Sequence, residues 1–213
     1  MSSAQPETPA LAAATAMFVE VLVVGIGFVT GLALLAAAAA GPETAAKAAP
    51  VAGSTPAAGA GLAAAYALGI LVDRAADKAL APIRRRLRQV SFPSDSTYAQ
   101  ARLTLATLPS LVALADYARS RMRICRGWII NSALLTLAGD LVLLRYDIGH
   151  RALLMALTTA VGLALTAGFY LAWHTITATG YTKLALQTTA LTTPPAALAQ
   201  QNQTGTVTPT ASG

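Results

Sequence analysis

Residues 17–40 read MFVEVLVVGIGFVTGLALLAAAAA, an apolar run broken by a single charge, Glu20. About 20 such residues cross the hydrocarbon core of a bilayer as a helix. Lipid offers the backbone no hydrogen-bond partner, so a spanning segment of this kind satisfies its own amides by coiling. The run confines the chain to a helical membrane protein unless it is removed as a secretion signal. Two features oppose removal: no Lys or Arg precedes it, and it is long for a signal's apolar core. It is therefore read as an uncleaved first span.

Three further stretches continue the pattern. Residues 57–72 form a weakly apolar span rich in Ala and Gly, 127–144 a third, and 152–176 a fourth. The expected fold class is all-α: an integral membrane protein with about four transmembrane helices and a helical basic cytoplasmic segment between spans two and three. Composition agrees, with 55% hydrophobic and 11% charged residues and a mean hydropathy of +0.56, against about 25% charged in a soluble domain. The expected organisation is a disordered N-terminus over 1–16, a first transmembrane hairpin over 17–72, the basic segment over 73–126, a second hairpin over 127–178, and a disordered Thr/Pro-rich tail over 179–213. Residues 41–56, with three prolines and two glycines, read as a short loop.

Charge is concentrated. Of the 15 Lys and Arg, eleven lie between positions 73 and 126, where only Asp73, Asp77, Asp95 and Asp116 oppose them. The 41–56 loop carries Lys47 alone, and the 145–151 turn carries Arg145 and Arg151. Basic residues close to spans stay on the cytoplasmic side. The segment and both termini are thus expected in the cytoplasm, with the chain a multi-pass protein of a bacterial inner (plasma) membrane. The Ala-, Gly- and Thr-rich, Lys-poor composition suggests the bacterial source. Ser94 or Asp95 is expected to cap a helix after the SFPSDST break, and Pro109 to interrupt the helical hairpin that follows.

The candidate lipid- or partner-binding residues are Arg84, Arg85, Arg86 and Arg88, with Arg119, Arg123 and Arg126 on one helix face. Basic side chains near a membrane surface attract anionic headgroups at about 1 kcal/mol each. No aromatic interleaving or Gly-rich phosphate loop accompanies them, so no nucleic acid is expected.

Polar residues inside spans form the second candidate set: Glu20, Asn131 and Asp140. Placing an acid at a helix centre costs about 2.5–3.5 kcal/mol on insertion scales, so each is expected to sit at an interface or against another helix. Glu20, Gly27 and Gly31 share a face of span one. Ser132, Thr136 and Asp140 make one stripe of span three, while Asn131 falls on the opposite face. A span polar on two faces is expected to be surrounded by helices, through self-association or a partner membrane protein. Asp140 otherwise turns toward His150, Arg151 or water. In span four Gly162, Thr166, Tyr170 and His174 recur every fourth residue, and Tyr170 with Trp173 suits an interfacial anchor.

Chemistry is sparse. Cys125 is the single cysteine, two histidines make no metal site, and no cofactor is implied. Asp73 and Asp77 are spaced like an Mg²⁺-holding pair, but Arg74 is placed to neutralise Asp77, so a salt-bridged helix exit is the simpler reading. The chain is expected to be non-enzymatic: a membrane anchor or scaffold whose basic helices contact anionic lipid or a partner protein. The alternative is a small oligomeric channel or transporter subunit with Asp140 lining its pathway.

Overall fold

A computed structural model describes the backbone of residues 7–192 and the side chains of 14–191. Six helices and no strands occur among the described residues: α1 (Glu7–Ala40), α2 (Pro42–Ala52), α3 (Thr55–Ser91), α4 (Asp95–Ala106), α5 (Pro109–Arg145) and α6 (Arg151–Thr192). Four of them, α1, α3, α5 and α6, are long and apolar enough to cross a membrane.

Punctuation residues set the boundaries. Gly41 turns the chain after α1 with a φ of 79°, a left-handed conformation that favours glycine, and Pro42 opens α2 with its fixed φ. Ser94 caps α4 by accepting from the Thr97 amide at 3.2 Å. Pro109 opens α5, where the missing amide hydrogen costs nothing. Between those signals α3 and α5 run unbroken for 37 residues each, and α6 for 42. At 1.5 Å per residue they measure roughly 55 and 63 Å, nearly twice a hydrocarbon core of about 30 Å. The surplus gathers at one end. The second half of α3, α4, the first half of α5 and the last turns of α6 form a projection beyond the apolar belt.

Helix α5 is the centre of the bundle. It lies parallel to α1, with Gly27 against Asn131 and Gly31 against Leu134, and antiparallel to α6, with Gly162 against Thr136. Helix α3 crosses α1 on another side. A methyl group on Gly25 would overlap the Ala65 carbonyl, and one on Gly69 would overlap the Val21 carbonyl, so these glycines permit backbone-to-backbone contact. At the projection's tip Phe92, Ala101, Leu105 and Leu184 form a buried cluster flanked by Tyr98, Leu111 and Tyr181.

Three expectations shift. Residues 42–52 are helical instead of a loop, since Pro42 sits where helices accept it and alanines dominate the rest. Helix begins at Glu7, within the segment expected to be disordered to residue 16. The 179 boundary is also too early, because α6 continues to Thr192 with Tyr181 and Leu184 packed on the tip cluster. Thr/Gln composition concealed those two anchoring side chains. Residues 1–6 and 193–213 of the expected termini lie outside the described residues.

Candidate functional site

The most polar part of the interior lies where the bundle meets the projection. Arg126 of α5 reaches α3 and grips Asp73 with two hydrogen bonds, Nε to Oδ1 at 2.9 Å and Nη2 to Oδ2 at 2.8 Å. Its Nη1 donates to Asp77, whose Oδ1 also accepts from Arg84. The Arg126 and Asp73 side chains are each only 14% exposed. A planar guanidinium serves two carboxylates at once, so one residue ties the two projecting helices together just beyond the apolar belt. The expected Arg74–Asp77 pairing is absent; Asp77 faces inward to α5 and Arg74 faces out.

Glu20, 9% exposed, lies one helix over. Its Oε1 accepts from the Ser120 hydroxyl of α5, while Oε2 is buried without a partner among the described residues. Its expected face, shared with Gly27 and Gly31, is the face that meets α5.

Deeper in the bundle, the two polar sides of the third span both find cover within the chain. Asn131, fully buried, donates from Nδ2 to the Val24 carbonyl of α1 at 2.7 Å. On the other side Ser132 and Thr166 share a hydrogen bond of 2.9 Å, and Asp140 accepts from Thr159 of α6 at 2.8 Å. Asp140 thus turns to Thr159, not to His150 or Arg151. Because α1 and α6 flank α5, both polar sides of the span meet helices of the same chain. Asp140 Oδ1 and Asn131 Oδ1 are buried and unpartnered among the described residues.

Trp173 is buried, against its expected role as an interfacial anchor, and its carbonyl accepts from Thr177 at 2.7 Å. Tyr170 stacks loosely with Trp173 and His174 at centroid distances of 6.1 and 6.0 Å.

The basic residues divide into two groups. Arg84, Arg88, Arg119 and Arg126 are engaged within the chain: with Asp77, with Asp95 at 2.8 Å, with Asp116 at 2.5 Å, and with Asp73 and Asp77. Arg88 also lies over the Tyr98 ring at 5.2 Å, helping to seat α4. Arg85, Arg86 and Arg123 have no ion-pair partner among the described residues, and Arg85 and Arg86 are exposed. Every described carboxylate of the projection is consumed by these pairs, so its excess positive charge is carried by outward-facing cations. The sequence groups all seven arginines, four as a contiguous cluster and three by a shared helix face, without showing what each side chain meets. It misses Ser120 and Thr159 altogether, and isolated hydroxyls on apolar helices give little signal.

Among the described residues no three His, Cys, Asp or Glu side chains come together to hold a metal. No protein family model, curated protein or solved structure matches the chain.

Proposed function

We propose that the chain is a membrane anchor and scaffold. Four spanning helices hold it in the inner membrane, and the rigid basic projection faces the cytoplasm to contact anionic lipid or an acidic partner. The observation that supports this reading most is the continuity of α3 and α5. Neither helix breaks between its apolar and basic halves, and the Arg126–Asp73–Asp77 network clamps the two where they leave the apolar belt. A loose basic loop would collapse onto headgroups, whereas two clamped helices hold cations at fixed height and spacing. The orientation rests on the Lys/Arg bias.

Cysteine accessibility tests the orientation. In a Cys125→Ser background, Arg86→Cys should react with an impermeant maleimide only after the membrane is opened, and Glu43→Cys should react in intact cells. Labelling of position 86 in intact cells overturns the reading.

One observation favours a second reading, a channel or transport subunit: Asp140 presents a buried carboxylate oxygen without a donor among the described residues. Proteoliposome flux separates the two. The scaffold reading expects background flux from the native chain and from Asp140→Asn; flux that Asp140→Asn alters supports the pathway.

A further inference from the structure

The cations that the chain leaves unpaired are not spread evenly over the projection. On α3, Arg74, Lys78 and Arg85 fall within an arc of about 40° around the helix axis, given 3.6 residues per turn. All three are exposed, and none has an ion-pair partner among the described residues. Between them the same arc holds the small Ala81, with exposed Pro82 at its edge. Beyond Arg85 the arc ends near exposed Gln89, whereas the exposed Val90 lies about 140° around the axis from its centre. No carboxylate occurs on this strip: Asp73 and Asp77 point the other way, into the Arg126 network.

The direction of the strip decides what fits it. It rises with the helix, covering roughly 16 Å from Arg74 to Arg85. Val72 is the last residue of the apolar span and Arg85 lies thirteen positions beyond it, roughly 20 Å along the axis. The headgroup layer is only about 5–7 Å deep on each side, and an ordinary tilt of about 20° shortens that height little. The chain's own bilayer therefore reaches Arg74 but not Arg85, and an apposed flat membrane would meet the tip alone. Only an elongated anion lying alongside α3 engages all three cations together. The small Ala81 between the charges leaves room for a second helix, and no exposed aromatic ring on the strip offers a stacking surface for single-stranded nucleic acid.

We propose that this outer strip of α3, carrying Arg74, Lys78 and Arg85, docks an acidic helical segment of another protein, which packs lengthwise against the projection. The proposal rests on the scaffold reading above and names the partner's chemistry: carboxylates on one helical face, matched to a ladder of cations. Such pairing is weakened by salt, since the strip is open to solvent.

The test uses the full chain in phosphatidylcholine nanodiscs and a synthetic Ala/Glu helical peptide as the probe, followed by fluorescence anisotropy. The set Arg74→Glu, Lys78→Glu, Arg85→Glu is compared with Arg102→Glu, Arg121→Glu, Lys183→Glu, which changes net charge equally on exposed cations of the other projecting helices. The expected result is peptide binding that weakens roughly tenfold or more in the first set and no more than about twofold in the second. Unchanged circular dichroism shows that the fold is kept. If reversal disturbs it, Arg74→Gln, Lys78→Gln, Arg85→Gln gives the same comparison at smaller amplitude. Equal weakening by both sets overturns the strip, as does tighter binding of a short DNA duplex than of the peptide. Recruitment of phosphatidylglycerol vesicles without peptide binding also overturns the docking proposal while leaving the basic anchor standing. Binding of neither overturns both.

Discussion

At the scale of single residues, Arg126 carries the greatest structural consequence. Removing it strands the Asp73 carboxylate and leaves Asp77 with Arg84 alone, and a broken buried pair costs more than an absent one. Arg126→Ala is expected to destabilise the detergent-solubilised protein by about 3 kcal/mol, read from thermal unfolding. Combining Arg126→Met with Asp73→Asn should recover most of that loss, because Asp77 keeps Arg84 as its partner and no charge is then left unpaired. The backbone contact at Gly69 makes a second prediction. Gly69→Val should cost about 2 kcal/mol or more by forcing α3 away from α1, whereas Gly59→Val, which meets nothing nearby, should be silent. Part of this was legible beforehand. Helical periodicity places Asn131 and Asp140 on opposite faces of one span, and the structure covers each face with a different helix. Periodicity gives angles within a helix and says nothing of which neighbour lies at each angle. That is why the Arg126–Asp73 pair, 53 residues apart, was hidden. For the same reason Gly27 drew notice while Gly25, two residues away and turned toward α3, makes the tighter crossing.

Among the elements, α4 and the last turns of α6 depend on each other. Helix α4 has 12 residues, marginal by itself in water, and it is held by Leu105, Ala101 and Phe92 against Leu184. Leu184→Ala is expected to cost about 2–3 kcal/mol at the tip. Hydrogen exchange should show faster exchange in α4 and over 181–191, with α1 and the apolar halves of α3 and α5 unchanged. Faster exchange throughout would mean that the tip and the bundle unfold as one unit. The helical continuity of α3 and α5 was readable because no Gly–Pro punctuation falls between their apolar and basic halves. Pro82 alone interrupts the pattern, and the helix continues through it. The extension of α6 was not readable, since its Thr-rich run resembles a tail until the tip cluster supplies a surface for Tyr181 and Leu184.

For the whole molecule, the account requires a projection that stands away from the bilayer. Helices α3, α5 and α6 share one polar end, tied at its base by Arg126 and at its tip by the aromatic cluster around Tyr98. Two ties on three helices would resist folding back onto headgroups, even though basic surfaces in general are drawn to anionic lipid. Height above the membrane is the most direct measure of that claim. A spin label at Arg86→Cys, in a Cys125→Ser chain reconstituted with nickel-chelating lipids, reports its separation from the headgroup plane by relaxation enhancement. Roughly 21 Å of helix beyond Val72, less a headgroup layer of about 5–7 Å, predicts a label about 15 Å above the headgroups. A label within the headgroup layer would contradict it.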